Sequence, residues 1–167
     1  MPEERKPRAV IVAGSPSDKP HIDKITDSLN SFGVPYNVEI CSAHKQLEDC
    51  LTLMRRLNED KGNLVVIAVA GGTDALSGTL SWGLYHPVIS CPPDGTTNQS
   101  PLHNPSGSSN AVIYRPDNIG RFVAQLYSHI PEFREAIERR NEAKLIELTF
   151  QGNRLRGDYD KKQGGSS

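Results

Sequence analysis

The feature that most constrains the fold is an almost uninterrupted apolar run, Leu-Val-Val-Ile-Ala-Val-Ala, at residues 64–70. A short run rich in β-branched residues is typical of a strand in the middle of a parallel sheet, where helices cover both faces. A second run at residues 8–13 has the same character. Each run is followed by a polar turn and then by a helical pattern of apolar residues. This alternation predicts an α/β fold, a three-layer sandwich around a parallel sheet.

The remaining elements continue the alternation. We predict further strands at residues 36–41, 87–90 and 111–114, and helices at residues 22–32, 47–57, 75–82, 117–129 and 131 to about 148. The last helix begins at a proline and carries few apolar residues on an otherwise charged surface. It has too little apolar area to stand alone, so we expect it to dock on the body of the protein or on a neighbouring subunit.

The length of 167 residues suits one domain. We assign residues 1–7 to an N-terminal tail, residues 8–160 to a single domain and residues 161–167 to a flexible tail. The formal net charge of −1 gives no field for gripping a nucleic acid. No apolar stretch approaches the ~20 residues that span a bilayer, and no secretory signal is present at the N-terminus. We therefore expect a cytoplasmic protein without nucleic-acid or membrane partners.

The three cysteines, Cys41, Cys50 and Cys91, are an odd number at unpatterned spacing. Such spacing does not support a disulfide framework, so we expect reduced thiols. Cys41 and His44 form a C-x-x-H pair, but no second pair follows, and a zinc site needs three or four ligands. We therefore predict no metal site.

Polar turns follow the first three predicted strands. They are the first turn (residues 14–18), the histidine turn (residues 42–45) and the glycine loop (residues 71–77). Ligand sites in open parallel sheets lie beyond the carboxyl ends of the strands, so we expect these turns to converge on one rim. A fourth segment, the lid (residues 91–110), is long for a structureless connection and is typical of a binding loop.

The first turn has the composition of a phosphate site, because small residues and hydroxyl groups precede a helix N-terminus. It has neither the G-x-G-x-x-G nor the G-x-x-x-x-G-K-[ST] pattern, so a dinucleotide and the usual triphosphate mode are not supported. The alternative for Ser15 and Ser17 is helix capping, which serine performs routinely.

The histidine turn supplies the candidate proton carrier. Histidine side chains titrate near neutral pH, so His44 suits general acid or base catalysis, with a surface or capping role as the alternative. Lys45 can neutralise a phosphate or carboxylate, or lie in solvent. In the lid, His103 can close over a ligand or remain an exposed loop residue. No G-x-S-x-G elbow occurs, so a serine hydrolase is not supported.

Ordered motifs carry a resemblance to a known family. They are Gly14-Ser15-Pro16-Ser17-Asp18, Ser42-Ala43-His44-Lys45, Ala70-Gly71-Gly72-Thr73-Asp74-Ala75-Leu76-Ser77, Pro87-Val88-Ile89-Ser90-Cys91-Pro92-Pro93 and Pro105-Ser106-Gly107. Together they resemble the enzymes that make carboxyaminoimidazole ribonucleotide in purine biosynthesis, over most of residues 8–130. Lys45 and the I-S-C-P-P run resemble the branch that carboxylates aminoimidazole ribonucleotide directly with carbon dioxide. The mutase branch usually has arginine after the histidine.

The resemblance implies a flavodoxin-like sandwich with an extra C-terminal helix. It further implies a homo-octamer with active sites built between subunits. The implied reaction is the reversible carboxylation of aminoimidazole ribonucleotide by carbon dioxide, in de novo purine biosynthesis, with no metal or organic cofactor. The small-molecule partners are then the ribonucleotide and carbon dioxide.

The resemblance also assigns site residues. His44 is the catalytic residue and moves the ring proton. Substrate binding is assigned to Gly14, Ser15, Ser17, Asp18, Ser42, Ala43, Lys45, Gly71, Gly72, Thr73, Ala75, Leu76, Ser77, Pro105, Ser106 and Gly107. In this assignment the first turn and Lys45 hold the ribose phosphate, while the glycine loop and the lid keep carbon dioxide from water.

The chain departs from the direct-carboxylase pattern in two places. Gly72 and Asp74 stand where that branch typically has arginine and asparagine, and the segment Leu102-His103-Asn104-Pro105 replaces the usual R-M-P. A cation is lost and an anion gained, which we expect to be unfavourable beside a pocket that accepts a carboxylate. Two alternatives therefore stay open: an enzyme acting on another carboxylated heterocycle, and a non-catalytic nucleotide-binding subunit.

Overall fold

The computed structural model describes residues 6–164 and contains one five-stranded parallel sheet. The strands are β1 (Arg8–Ala13), β2 (Tyr36–Ile40), β3 (Leu64–Val69), β4 (Val88–Ser90) and β5 (Asn110–Val112). Their order across the sheet is β2-β1-β3-β4-β5. This order, with every pair parallel, confirms the predicted class of fold.

Helices cover both faces of the sheet and complete the three layers. They are α1 (Lys19–Ser31), α2 (Leu47–Glu59), α3 (Ala75–Gly83), α4 (Ile119–Leu126) and α5 (Pro131–Gly164). One core lies between the sheet and α1, α4 and the start of α5. The other core lies between the sheet and α2 and α3. Among the described residues, no helix combines the length and apolar character that a bilayer crossing requires.

The central strands are apolar on both sides because they separate these two cores. In β1, Ile11 faces the core under α1 and α4, while Val12 faces the core under α2 and α3. In β3, Ile67 and Val66 divide in the same way. Successive side chains of a strand point to opposite faces, so a strand with two cores needs apolar residues at every position.

The largest difference from the sequence prediction is the end of α5. The helix continues to Gly164 rather than ending near Leu148, and it includes residues 161–164 of the predicted flexible tail. No proline follows Leu148, and isolated glycines such as Gly152 and Gly157 cost a helix only about 1 kcal/mol each. The helix therefore has no strong stop signal in this stretch. Residues 1–5 and 165–167, the rest of the predicted tails, lie outside the described residues.

The packing of α1 against α4 depends on a glycine. The Ser28 hydroxyl donates to the Asp117 carbonyl oxygen at 2.7 Å and accepts from the Gly120 amide at 2.9 Å. A Cβ on Gly120 would lie 2.1 Å from the Ser28 carbonyl oxygen. Because both partners at this contact are backbone, the two helices would have to separate to admit any side chain.

We predict that Gly120→Ala lowers the free energy of unfolding by about 3 kcal/mol, because overpacking forces backbone shifts. The matched control is Gly157→Ala in α5, where a Cβ meets no atom within 4 Å. That control is expected to leave stability unchanged or raise it by up to about 1 kcal/mol. Urea midpoints of the two variants provide the measurement, and equal shifts in both would contradict the prediction.

Candidate active site

The loops that follow the strands share one edge of the sheet. Because all strands are parallel, their carboxyl ends lie on the same side, in the order β2, β1, β3, β4. The backbone ladder continues into the loops: the Cys41 amide donates to the Ala13 carbonyl at 2.8 Å, and the Gly14 amide donates to the Val69 carbonyl at 2.9 Å. The histidine turn, the first turn and the glycine loop therefore begin side by side and form one rim.

The first turn is held by its own serines. The Ser17 amide donates to the Ser15 hydroxyl at 3.2 Å, and the two hydroxyl oxygens are 2.7 Å apart. Ser15 is thereby the N-cap of a short 3-10 turn, Pro16–Asp18, that leads directly into α1. Ser15 therefore has the helix-capping role that was the alternative to phosphate binding. Gly14 and Ser15 are partly buried, whereas Ser17 is exposed at the rim.

Asp18 lies beside a histidine that the sequence analysis did not place at the site. Burial raises the pKa of the Asp18 carboxyl, His21 acts to lower it, and the charge of Asp94 adds to the increase. His21 is half-buried, and its Nε2 lies 3.0 Å from the Cys91 carbonyl oxygen and 3.4 Å from the Cys91 Sγ. Since a carbonyl only accepts, Nε2 carries the proton in this contact. Burial lowers the pKa of His21, which favours the neutral ring.

The histidine turn is closed by backbone and amide contacts. The Lys45 amide donates to the Ser42 hydroxyl at 3.3 Å, and the Gln46 amide donates to the Ser42 carbonyl at 2.8 Å. The Gln46 side-chain oxygen in turn accepts a hydrogen bond from the Ser42 amide at 3.2 Å. Ala43 is partly buried, while His44 and Lys45 are exposed. The turn therefore presents an imidazole and an ammonium to a ligand arriving from solvent.

The cysteines correct an expectation. The sequence predicts three reduced thiols, but Cys41 and Cys50 form a disulfide with Cα atoms 5.8 Å apart. Their positions bracket the histidine turn, because the chain reverses between β2 and α2 and brings the two ends together. Sequence spacing alone does not show this reversal. Cys91 is free and buried, and burial followed by the charge of Asp117 raises its pKa to about 12.

The added anion of the glycine loop, Asp74, has hydrogen-bond donors within the protein. The carboxylate of Asp74 is 5% exposed and accepts from the Ser77 amide at 2.9 Å and from the Ser77 hydroxyl at 2.6 Å. It therefore caps the N-terminus of α3, where the helix dipole favours a negative charge. The carboxylate of Asp74 is thus engaged by the start of α3, although Asp74 also lines a cavity between α3 and the lid.

The replacement of arginine by Gly72 also has a local cause. The φ angle of Gly72 is +64°, in the left-handed region that side-chain-bearing residues rarely adopt. An arginine at this position would strain this backbone.

The other residues of the glycine loop that were predicted to bind substrate divide into two groups. Gly71 and Thr73 are exposed at the rim, whereas Leu76 is 2% exposed and Ser77 is 0% exposed, so their side chains belong to the interior.

The lid is more ordered than the sequence indicates. It contains two 3-10 turns, Gly95–Thr97 and Ser100–His103, and folds back onto α3. The Asn104 amide nitrogen donates to the Ser77 hydroxyl at 3.3 Å and to the Asn110 side-chain oxygen at 2.9 Å. Asn110 in turn donates to the Ser90 hydroxyl at 2.8 Å. Asn104 and Asn110 are functional candidates that the sequence analysis missed, because their role depends on contacts distant in the chain.

A cavity of about 640 Å³ lies between α3 and the lid. Its walls include Asp74, Ala75, Trp82, His103, Pro105 and Ser106. Gly107 lies under the Trp82 ring, where a Cβ would be 2.9 Å from a ring carbon. The structure thus brings two predicted lid residues next to the predicted Ala75, and it places His103 on the same wall.

Comparison with known proteins agrees with this arrangement. A sequence model of the AIR carboxylase family matches residues 8–144. The chain therefore belongs to the AIR carboxylase family, which confirms the resemblance noted from its motifs.

Several relatives show how far the similarity extends. The chain is 31% identical over 151 residues to a phosphoribosylaminoimidazole carboxylase of Treponema denticola, covering 85% of this chain and 95% of the relative. A phosphoribosylaminoimidazole carboxylase of Archaeoglobus fulgidus is 32% identical over 155 residues, covering 89% and 85% respectively. The human bifunctional phosphoribosylaminoimidazole carboxylase/phosphoribosylaminoimidazole succinocarboxamide synthetase is 33% identical over 132 residues. That match covers 76% of this chain but only 31% of the human protein.

The fold is also shared with a solved structure. The crystal structure of Treponema denticola PurE superposes with a TM-score of 0.84 at 28% identity, covering 90% of this chain and 99% of that one. The crystal structure of a single-residue variant of the Treponema denticola protein gives a TM-score of 0.85 at 27% identity, covering 90% and 98%. The overall fold is therefore shared with these structures.

We predict that His21 makes the free energy of unfolding depend on pH. The dependence lies between pH 6.5, the ordinary pKa of histidine, and the lower pKa of His21 in the folded protein. Because the pKa of His21 is lower in the folded protein, the unfolded chain takes up a proton first as the pH falls. The contribution of the neutral His21 ring to the free energy of unfolding is therefore complete above pH 6.5 and is lost as the pH falls. Asp18, with its pKa raised above 3.8, acts in the opposite direction, because the folded state takes up this proton first and gains stability as the pH falls through the raised pKa. The variant His21→Gln keeps a donor for the Cys91 carbonyl but does not titrate.

The measurement is the urea midpoint of both proteins at about pH 7.5 and pH 5.5, on either side of the pKa of the unfolded histidine. We expect the wild type to lose more stability on acidification than His21→Gln. Equal losses in the two proteins would show that His21 is not responsible.

Proposed function

We propose that the protein catalyses the reversible carboxylation of aminoimidazole ribonucleotide with carbon dioxide in de novo purine biosynthesis, without a metal or organic cofactor. The observation that carries this proposal is the shared rim, on which the histidine turn stands directly beside the first turn in a member of the AIR carboxylase family. A cytoplasmic location is part of the same proposal. Lys45 after His44, together with the I-S-C-P-P run at residues 89–93, supports direct carboxylation rather than the mutase reaction.

The chemistry requires little from the protein beyond placement and one proton transfer. The aminoimidazole ring is an electron-rich enamine, so its ring carbon attacks carbon dioxide once the two are held together. A carbon–carbon bond forms, and the ring carbon then loses its proton to restore aromaticity. His44 accepts this proton through its imidazole. In the reverse direction, His44 returns the proton to the ring carbon as carbon dioxide leaves.

Substrate binding is assigned to the loops of the rim. The first turn leads through a short 3-10 turn into α1, where the helix dipole and the exposed Ser17 hydroxyl favour a phosphate. Lys45 is exposed and adds a positive charge close by. The glycine loop and residues 105–107 of the lid form the wall that keeps water from carbon dioxide. Hydrogen bonds from Ser77 and the dipole of α3 offset part of the negative charge that Asp74 adds to this wall.

A second candidate is the same chemistry on another carboxylated heterocycle. Gly72 supports it, because the family's usual arginine is absent and the local backbone adopts a conformation suited to glycine. Without that cation, the wall of the pocket has space and less positive charge. A substrate with a larger or less charged ring substituent would fit such a wall.

The deciding experiment follows the loss of ultraviolet absorbance when pure protein is mixed with carboxyaminoimidazole ribonucleotide. We predict turnover by the wild type and a decrease of roughly a hundredfold or more in His44→Asn, the usual effect of losing a general acid or base. The matched control is His129→Asn, at an exposed position that follows α4. Its rate should stay within about twofold of the wild type, as for surface changes away from a site.

The other outcomes separate the alternatives. Saturable binding of the ribonucleotide without turnover would mean a non-catalytic subunit. Neither binding nor turnover would favour the second candidate. Turnover of the N5-carboxylated isomer in place of carbon dioxide exchange would assign the protein to the mutase reaction.

We also propose that the protein acts as a homo-octamer. Beyond Ile137, none of the described α5 side chains is buried, along about 39 Å of helix at 1.5 Å per residue. This segment exposes six large apolar side chains: Leu145, Ile146, Leu148, Phe150, Leu155 and Tyr159. A helix with such a surface is poorly stable in water, and contact with other copies of the chain would cover it. Subunit contacts would also enclose the exposed His44.

We predict that the double variant Leu148→Glu/Leu155→Glu sediments as a smaller species than the wild type, because two buried charges would oppose assembly. The control is Asn153→Glu, which adds the same kind of charge at an exposed polar position of α5. Sedimentation velocity distinguishes the species. A monomeric wild type, or equal masses for all three proteins, would contradict the proposed assembly.

A further inference from the structure

Asp94 stands at the rim beside the proposed site but has no role in the function as described so far. It follows β4 by four residues and accepts a hydrogen bond from the Gly72 amide, with a distance of 2.6 Å to its Oδ2. The same oxygen is 3.4 Å from the side-chain nitrogen of Asn98, which is buried. Asp94 therefore ties the glycine loop to the start of the lid.

The carboxylate of Asp94 also packs closely against the backbone of Gly71. A Cβ on Gly71 would lie 3.1 Å from each carboxylate oxygen of Asp94, closer than ordinary side-chain contacts. The backbone of Gly71 has no positive φ, so a side chain at this position is opposed by this contact and would have to displace the Asp94 carboxylate by a few tenths of an ångström. The carboxylate thus lies directly against the backbone of two consecutive glycines.

Two consecutive glycines make a flexible loop unless something holds them. Glycine has the largest backbone freedom of any residue, and ordering a loop on ligand binding costs free energy. A charge-assisted hydrogen bond to the Gly72 amide fixes the loop before a ligand arrives. The loop is then preorganised, and a ligand need not supply that ordering free energy.

We propose that Asp94 is a positioning residue, whose carboxylate holds the glycine loop in the conformation that binds the ribonucleotide. The proposal rests on the function proposed above, because it assumes that the glycine loop contacts substrate. Asp94 acts through the loop and does not touch the reacting atoms. Its effect should therefore appear in substrate binding and not in the proton transfer by His44.

The kinetic test compares three variants with the wild type in the decarboxylation assay. Asp94→Ala should raise KM about tenfold, the usual effect of losing one hydrogen bond, and change kcat by less than about threefold. Asp94→Asn keeps an acceptor for the Gly72 amide and should restore KM to within about threefold of the wild type. Asp27→Ala, which removes an exposed carboxylate from α1, is the control and should change neither constant.

A double-mutant cycle tests the contact itself. Gly71→Ala should raise KM in the wild-type background, because its methyl group displaces the Asp94 carboxylate. In the Asp94→Ala background the same substitution meets no carboxylate and should have little further effect. This non-additivity is expected only if the two residues act through their mutual contact. Additive effects would overturn the proposal.

Hydrogen–deuterium exchange of the segment at residues 70–77 gives a measurement that does not depend on activity. Exchange should be faster in Asp94→Ala than in the wild type and close to the wild type in Asp94→Asn. Unchanged exchange would show that Asp94 does not hold the loop. Faster exchange with an unchanged KM would show that the loop does not bind substrate. A wild type without activity but with the expected exchange would instead reject the proposed function, while the anchoring of the loop would stand.

Discussion

The backbone ladder between β1 and its two neighbours is the constraint on which the rest of the structure depends. It extends one residue beyond the strands, through the amides of Gly14 and Cys41, so the adjoining loops leave the sheet at one level. These loops can be short, because they already begin next to one another at the ends of adjacent strands. The apolar character of β1 and β3 on both faces fixes their central place in the sheet. The burial of β1 and β3 on both faces therefore determines where the rim lies, and the loops that follow the strands supply the candidate functional residues.

Within the rim, most polar groups of the glycine loop and the lid satisfy one another. Asp74 is used by the start of α3, Ser77 joins Asp74 to Asn104, and Asp94 is used by the Gly72 amide. The exposed polar side chains include His44 and Lys45 of the histidine turn, Ser17 of the first turn and Thr73 of the glycine loop. This division separates residues that shape the wall from residues available to a ligand. The chain accommodates Asp74 by hydrogen-bonding its carboxylate to the start of α3.

The sequence predicts the layers of this fold well because they depend on hydrophobic periodicity, a local property. The strands β1 and β3 and the apolar faces of α1 and α2 follow directly from it. The end of α5 was missed since its apolar residues are spread around the helix and no stop signal interrupts it. The pairing of Cys41 with Cys50 and the contact of Asp94 with Gly72 were also missed. Both depend on which loops meet in space, although the position of Asp94 just beyond a predicted strand was a usable signal.

The lid is fastened to α3 and β4 by neutral groups: Asn104 bonds Ser77 and Asn110, and Asn110 bonds Ser90. Neither amides nor hydroxyls change charge across the physiological range of acidity, and bonds between them are little weakened by dissolved salt. These amide and hydroxyl contacts are consequently the same in acidic and alkaline buffers. The end of the lid nearest β5 is thus held independently of acidity, whereas its start is held by the carboxylate of Asp94.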